Sequence, residues 1–496
     1  MNRVLSSAIM VAAAVMPAAA AEIITEAPAG HSVEYYTDMQ NFDNTFGFMG
    51  DYHSTRKLVF TDDGSVYIPN LLMSRTMPAY LKGTYDSGAK TITVPNGQCV
   101  FVFPNIKVPV GFFALDADGQ AGPSENEFYT EPLVFDIADD GVISLRASEE
   151  FPLFGIGSTQ NSTEVYSLAK ELRFIPVENI SDKLQHFTST YVQGEDTNTT
   201  TAAAYREGND IIWVQGLDPK YPTSWIKVQR FSETEWIIPS FQVMYYFSTE
   251  DPIVAAALNK SSGDAMFQMI VSVDEETLEM SIGNPTVVLG NITPDNNGSF
   301  NVYQQYDNIH LEPGNFTASK PAAPSFFGYR ERTGDTEDTE FVFTADDKDV
   351  NGEQLINTQL FFRMYVDGEP YTFTTEKYKW IDEDMALVPF NFDNYYFFSK
   401  GRNKRYVYFQ QLPADTKTIG VEIIYNMGGA EQTSDRLVYD IASQKAEVVL
   451  GIEDVAVDSD APAVFYDMQG IRTDNPEPGR LYIRVRGNKA EKVLVK

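Results

Sequence analysis

Hydrophobic and polar residues alternate in short runs along most of the chain, and each run stops at a turn signal. KLVF precedes TDDG, AYLKGTY precedes DSGAK, TITVP leads into NGQ, and VFDIA leads into DDG. A period of two sends successive side chains to opposite faces of a strand, while Asp-Gly, Asn-Gly and Ser-Gly pairs supply the positive φ of tight hairpins. The pattern predicts an all-β chain of antiparallel strands, because no helical period is sustained. Strands that return about every ten residues suit a sandwich or an up-and-down barrel, and periodicity does not separate the two.

The same landmarks then come round again. Tyr67, Leu71, Pro78, Tyr80, Lys82, Pro95 and Gln98 are answered by Trp213, Leu217, Pro222, Trp225, Lys227, Pro239 and Gln242, at offsets between 144 and 146 residues. A fainter echo links LVFDIADDGVISL, from Leu133, to MIVSVDEETLEMSI, from Met269. Drift of two residues fits changes in loop length between matching strands. The expectation is two tandem homologous β domains, residues 22–177 and 178–313.

Residues 314–324 hold Pro321 and Pro324 and little that packs, which marks a linker. Beyond it a new series of strands begins with TEFVFTADD and runs through LFFRMYVDGEPYTFT, RYVYFQQL, TIGVEIIYNMGG and SDRLVYDI. The number of short strands over residues 325–446 resembles a fibronectin type III or similar immunoglobulin-like sandwich. Residues 447–496 form a small C-terminal β module.

In that module, the run VFYDMQGIRTDNPEPGRLYIRVRGNKAEKVLVK follows an acidic spacer. It resembles the C-terminal modules of secreted Bacteroidetes proteins, the type IX secretion sorting-domain group. Tyr466, Asp467, Gln469 and Gly470 carry the resemblance in the first hairpin, and Pro478, Gly479, Tyr482 and Ile483 in the next strand. Gly487, Asn488, Lys489, Lys492 and Val493 to Lys496 carry it at the end. The resemblance implies passage through the outer membrane with the secretion machinery as partner. The whole chain also looks like the modular, uncharacterised secreted proteins of gut Bacteroidetes.

The other end agrees with export. Arg3, the apolar run Val4 to Met16 and the small residues before Glu22 have the layout of a signal peptide over residues 1–21. The expected location is the cell surface, the medium or the periplasm. No later apolar run reaches the roughly 18 residues that span a bilayer. Cys99 is the single cysteine, so burial and hydrogen bonding, not disulfides, must stabilise the fold. A formal net charge of -33 disfavours nucleic acid and anionic lipid as partners.

Catalytic signatures are sparse. The chain has no G-x-S-x-G elbow, H-E-x-x-H pair, P-loop or cofactor motif, and His31, His53, His186 and His310 lie far apart in sequence. Asp347, Asp349 and Asn351 match the first half of a calcium loop, but position twelve is Thr358, so an inter-strand turn is the favoured reading and no metal is assigned. Trp213, Trp225 and Trp236, 12 and 11 residues apart, are the candidate sugar-stacking platform. Their counterparts Tyr67, Tyr80 and Ile92 keep bulk without keeping aromaticity, which favours core. The function expected is binding or surface display of an extracellular glycan or protein ligand. An exported enzyme acting on glycan or peptide and a structural spacer are the alternatives.

Overall fold

The computed structural model describes residues 23–494 except residues 75, 247–250, 296–298, 332–337, 380, 382, 401–402, 450–463, 467–471, 474–475, 477–480 and 487–488. The expected signal peptide therefore lies outside the described residues. The chain is all-β: strands dominate, with a helical turn at Glu178–Ser181 and a 3-10 turn at Asn357–Gln359. It divides into two compact units, one holding the chain up to Phe316 together with Ile356–Thr358, the other holding Thr317–Leu355 and the chain from Gln359. The division falls inside the stretch read as a linker.

In the first unit, the first repeat supplies β1 (His31–Asp43), β2 (Gly47–Phe60), β3 (Ser65–Pro69), β4 (Tyr80–Asp86), β5 (Thr91–Val94), β6 (Gln98–Val102), β7 (Pro109–Leu115), β8 (Leu133–Ile137), β9 (Ile143–Leu145), β10 (Leu153–Ser158) and β11 (Val165–Pro176). Eight of them close on themselves in the order β1-β2-β3-β4-β5-β8-β9-β11 and back to β1. The other three extend a side sheet, β6-β7-β10, from the far half of β11. Alternate residues such as Leu58, Val66, Ile68, Leu81, Ile92, Phe135 and Phe174 fill the barrel. Eight strands leave an interior just wide enough for such side chains.

The second repeat supplies β12 (Gln185–Gln193), β13 (Asp196–Glu207), β14 (Ile211–Gln215), β15 (Trp225–Arg230), β16 (Trp236–Pro239), β17 (Gln242–Tyr246), β18 (Pro252–Asn259), β19 (Ala265–Met266), β20 (Gln268–Val273), β21 (Met280–Ile282), β22 (Val287–Pro294) and β23 (Phe300–Pro313). Its barrel closes as β12-β13-β14-β15-β16-β20-β21-β23, again with a side sheet, β17-β18-β22, on the last strand. Apart from the short β19, which pairs with β18, each strand has a counterpart of the same rank in the first repeat. The choice between sandwich and barrel is thus decided for the barrel.

Two details show how closely the copies match. The β4–β5 ladder stops where Lys82 would face Pro95, which has no N–H to donate. Gln98 takes over: its Oε1 accepts the Lys82 N–H at 2.9 Å, and its Nε2 donates to the Lys82 carbonyl at 2.8 Å and the Pro95 carbonyl at 3.3 Å. In the second repeat Pro239 ends the ladder, and Gln242 makes the same three bonds to Lys227 and Pro239, at 2.6, 3.1 and 2.6 Å. Gly155 and Gly290 are the second detail. A Cβ on Gly155 would meet Leu115 at 2.6 Å, and one on Gly290 would meet Leu258 at 2.2 Å, so the equivalent strands press together at the equivalent place.

The second unit contains two sheets and a small third one. One sheet runs β24 (Ser325–Glu331), β25 (Asp338–Thr344), β30 (Lys404–Gln410), β29 (Phe397–Lys400). The other runs β27 (Glu369–Pro370), β26 (Leu360–Val366), β31 (Thr418–Met427), β33 (Arg436–Asp440), β34 (Lys445–Val449), with β28 (Val388–Pro389) on β26 and β32 (Ala430–Thr433) on β31. Aromatic side chains bridge them: Phe326 stacks on Tyr439 at 4.4 Å, and Phe343 meets Phe362 edge-on at 5.5 Å. The third sheet, β36-β35-β37-β38, uses Arg472–Thr473, Val464–Tyr466, Leu481–Arg486 and Lys489–Leu494.

Of the sorting-like residues, Tyr466, Tyr482, Lys489 and Lys492 fall on these last strands. Gln469, Gly470, Pro478, Gly479, Gly487, Asn488 and Lys496 lie outside the described residues. No helix among the described residues is long and apolar enough to cross a membrane.

Candidate functional site

The two barrels of the first unit meet along a seam that starts from an irregularity in β2. Thr37 pairs with Ser54 and Asp38 with Tyr52, which leaves His53 as the extra residue of a bulge. Its φ of 58° lies in the left-handed region that side chains other than glycine seldom adopt. A bulge re-aims one side chain, and here it turns His53 between the repeats. Nδ1 lies 2.9 Å from Asp38 Oδ1 of the same barrel, and Nε2 lies 2.8 Å from the Tyr205 hydroxyl of the other.

Arg173, on β11, completes the arrangement. It donates to Asp38 at 2.6 Å and to Glu207, on β13, at 2.7 Å, and Glu207 also accepts the Trp213 indole N–H at 2.7 Å. The His53 side chain is 0% exposed and that of Asp38 5%. Burial on its own raises the Asp38 carboxyl, but His53 and Arg173 outweigh it and hold the carboxyl below its ordinary value. Glu207 is also raised by burial and brought below its ordinary value by Arg173 and Trp213. A charge network this deep holds only while each member keeps its partner.

The tryptophans belong to this seam or to a core. Trp213 and Trp225 are each 1% exposed and flank the His53 ring, with centroids 4.5 and 4.6 Å away. They point outward from their own barrel and are covered by the other, together with Tyr205, Ile175 and Ile180. Trp236, 2% exposed, packs inside the second barrel, as Ile92 does in the first. None presents a face to solvent, so the three rings do not form a sugar-stacking platform. Tyr67 and Tyr80, the counterparts of Trp213 and Trp225, are only half-buried, because the corresponding face of the first barrel is not the one that docks.

Beside the network the seam opens into a pocket of about 260 Å³. Its walls are β2 at Asp51 to Thr55, β17 at Val243 to Tyr246, and Thr223 and Ser224 from the loop before β15. Main-chain pairing fixes two walls together, since β17 runs parallel to β2 there and the Gly50 N–H donates to the Phe241 carbonyl at 3.0 Å. At the base, Asp51 Oδ2 accepts from Asn41 Nδ2 at 2.8 Å and from the Tyr246 hydroxyl at 3.0 Å. Burial outweighs the nearby Arg56 charge and these bonds, and raises the Asp51 carboxyl. Apart from the enclosed His53, no lining residue among the described residues is basic.

The half calcium motif forms a turn. Asp349 Oδ1 accepts the backbone N–H groups of Asn351 at 2.8 Å and Glu353 at 2.9 Å, while Oδ2 takes the Asn351 side-chain amide at 3.3 Å. Asp349 thus closes a turn with the atoms a cation would need, and Asn351 is committed to the same turn. Comparison of the chain with protein-family profiles, with curated proteins and with solved structures finds no match. The pocket and its chemistry therefore carry the functional argument by themselves.

Sequence reasoning missed the seam residues Asp38, His53, Arg173, Tyr205 and Glu207. They lie on four strands and have no shared motif. The one available signal was the lack of a matching carboxylate–guanidinium pair: at the barrel position of Asp38 and Arg173, the second repeat has Thr190 and His310.

Proposed function

We propose that the protein is exported and acts as a non-enzymatic binding or display protein, which holds one unit of a neutral glycan in the seam pocket. The observation that carries this reading is the pocket wall. Ser54, Thr55, Thr223, Ser224 and the Asp51 carboxyl offer donors and acceptors, and Tyr52, Tyr245 and Tyr246 offer ring surface. A few polar groups on an aromatic wall suit a sugar ring. At about 260 Å³ the volume lies below the roughly 300 Å³ at which pockets for drug-sized ligands begin, which fits one ring. The scarcity of basic side chains and the net charge of -33 argue against an anionic ligand.

Two further proposals concern delivery. The sandwich of the second unit is of immunoglobulin type, as its two strand orders support: with β27, β28, β32 and β34 set aside they run first-second-fifth-fourth and third-sixth-seventh. The C-terminal sheet serves as a sorting module of the type IX group, with the outer-membrane secretion machinery as its partner. This rests on the residue pattern from Tyr466 to Lys496.

Titration calorimetry of the full chain against neutral, acidic and basic oligosaccharides tests the binding reading. A neutral glycan is expected to bind, and Tyr245→Ala is expected to weaken it at least about tenfold, the equivalent of about 1.4 kcal/mol. Failure of all three classes to bind, or binding that Tyr245→Ala leaves unchanged, would remove the pocket from the account.

A further inference from the structure

The two repeats differ chemically at one place where their backbones agree. Phe154 pairs with Ala169 as Leu289 pairs with Tyr306, and both strands slip by one residue just beyond, after Ile156 and after Asn291. The first repeat therefore has Leu72, Ile156 and Ala169 where the second has Asp218, Asn291 and Tyr306. All six are buried, at 2% exposure or less. Apolar side chains suffice for the barrel here, so the polar set of the second repeat is not a requirement of the fold. Burying it without full hydrogen bonding is unfavourable.

Asp218 opens the loop that forms one wall of the seam pocket. Its Oδ1 accepts the Lys220 N–H at 2.7 Å, and its carbonyl accepts the Tyr221 N–H at 3.1 Å. Three residues on, Ser224 Oγ donates to the Tyr221 carbonyl at 2.7 Å, which sets Thr223 and Ser224 against the pocket. The Tyr221 ring stacks on Tyr245, another wall residue, at 5.4 Å. Behind the loop, Asn291 and Tyr306 face Asp218 closely enough to steady its charge. Yet Asp218 Oδ2 and both polar atoms of the Asn291 amide are enclosed without a well-formed bond.

We propose that Asp218 is a positioning residue whose proton links ligand binding in the seam pocket to pH. With a proton on Oδ2, Asp218 donates to the Asn291 amide oxygen, two enclosed groups are satisfied at once, and the loop stays seated. With the proton gone, a carboxylate remains fully enclosed in the interior, and the loop is driven toward water. The titratable group facing Asp218 is the Tyr306 phenol on β23, which in turn lies near the phenols of Tyr191 on β12 and Tyr221 in the loop. Phenols ionise near 10 and stay neutral through this range. Burial accordingly raises the Asp218 carboxyl to about 6. Because the folded value lies above the ordinary one, the stability Asp218 contributes is fully present below pH ~4 and is lost as the pH rises through about 6.

The ligand half of this inference rests on the binding reading above, so the test has two arms on the full chain. Without ligand, Asp218→Asn is expected to melt several degrees above the unmodified chain at pH 8 and within about a degree of it at pH 4.5. With the neutral oligosaccharide identified by calorimetry, the unmodified chain is expected to bind at least about threefold more weakly at pH 8 than at pH 5. Asp218→Asn should then lose clearly less affinity over the same interval, keeping only the part that the raised Asp51 carboxyl of the pocket wall contributes. An Asp218→Asn difference in melting that does not change with pH would overturn the proton link. The same pH dependence of binding in both proteins would overturn the coupling to the pocket. Absence of binding at every pH would overturn the coupling and the glycan reading together, while the first arm still judges the proton on Asp218.

Discussion

Trp225→Ala is expected to destabilise the first unit by about 3 to 5 kcal/mol, the usual cost of emptying a large aromatic site that cannot collapse. The ring is 1% exposed and meets His53 at 4.6 Å, Tyr36 at 5.8 Å and Tyr205 at 5.8 Å, so its loss opens a void between two barrels. Neither barrel can fill it without breaking the polar network beside it. In a Trp380→Phe background, urea unfolding followed by the fluorescence of Trp213 and Trp236 measures the effect. A loss below about 1 kcal/mol, the range of surface substitutions, would mean that the two barrels do not cover this residue.

The second large effect is electrostatic. His53→Ala is expected to cost about 3 to 5 kcal/mol, because it leaves the Asp38 carboxylate enclosed with only Arg173 and deprives the Tyr205 hydroxyl of its partner. The sign of the acid dependence follows from Asp38. A carboxyl held below its ordinary value contributes stability that is complete above pH ~4 and disappears as the pH falls further. The unmodified chain should lose stability steeply below pH 4, and His53→Ala should start lower and fall less. Equal acid sensitivity in the two proteins would place the stabilisation of Asp38 elsewhere.

The sequence reveals the parts of this fold that depend on local pattern and hides those that depend on tertiary placement. Alternation and turn pairs predicted strands, and the spacing of Pro95, Gln98, Pro239 and Gln242 predicted the repeat. The reason for that spacing, a glutamine amide standing in for a ladder bond that proline cannot make, needed the register of the ladder. Closure into a barrel was hidden as well, because it depends on β11 returning to β1 across more than a hundred residues. Trp213 and Trp225 were correctly weighed as buried, but the surface that buries them belongs to the other repeat. His53 shows the limit most clearly. Its role comes from a one-residue bulge that the hydrophobic pattern does not record.

The central claim, that the seam makes the two barrels one structure, can be tested with probes the chain already carries. Cys99 is the single cysteine and lies in the first repeat at 7% exposure, while Trp213, Trp225 and Trp236 all lie in the second. In a Trp380→Phe background, thiol labelling of Cys99 reports on one barrel and tryptophan fluorescence on the other across the same urea series. A locked pair predicts coincident midpoints that shift together in His53→Ala. Midpoints separated by about 1 M urea or more, unmoved by that substitution, would show two barrels that unfold independently and would contradict the account.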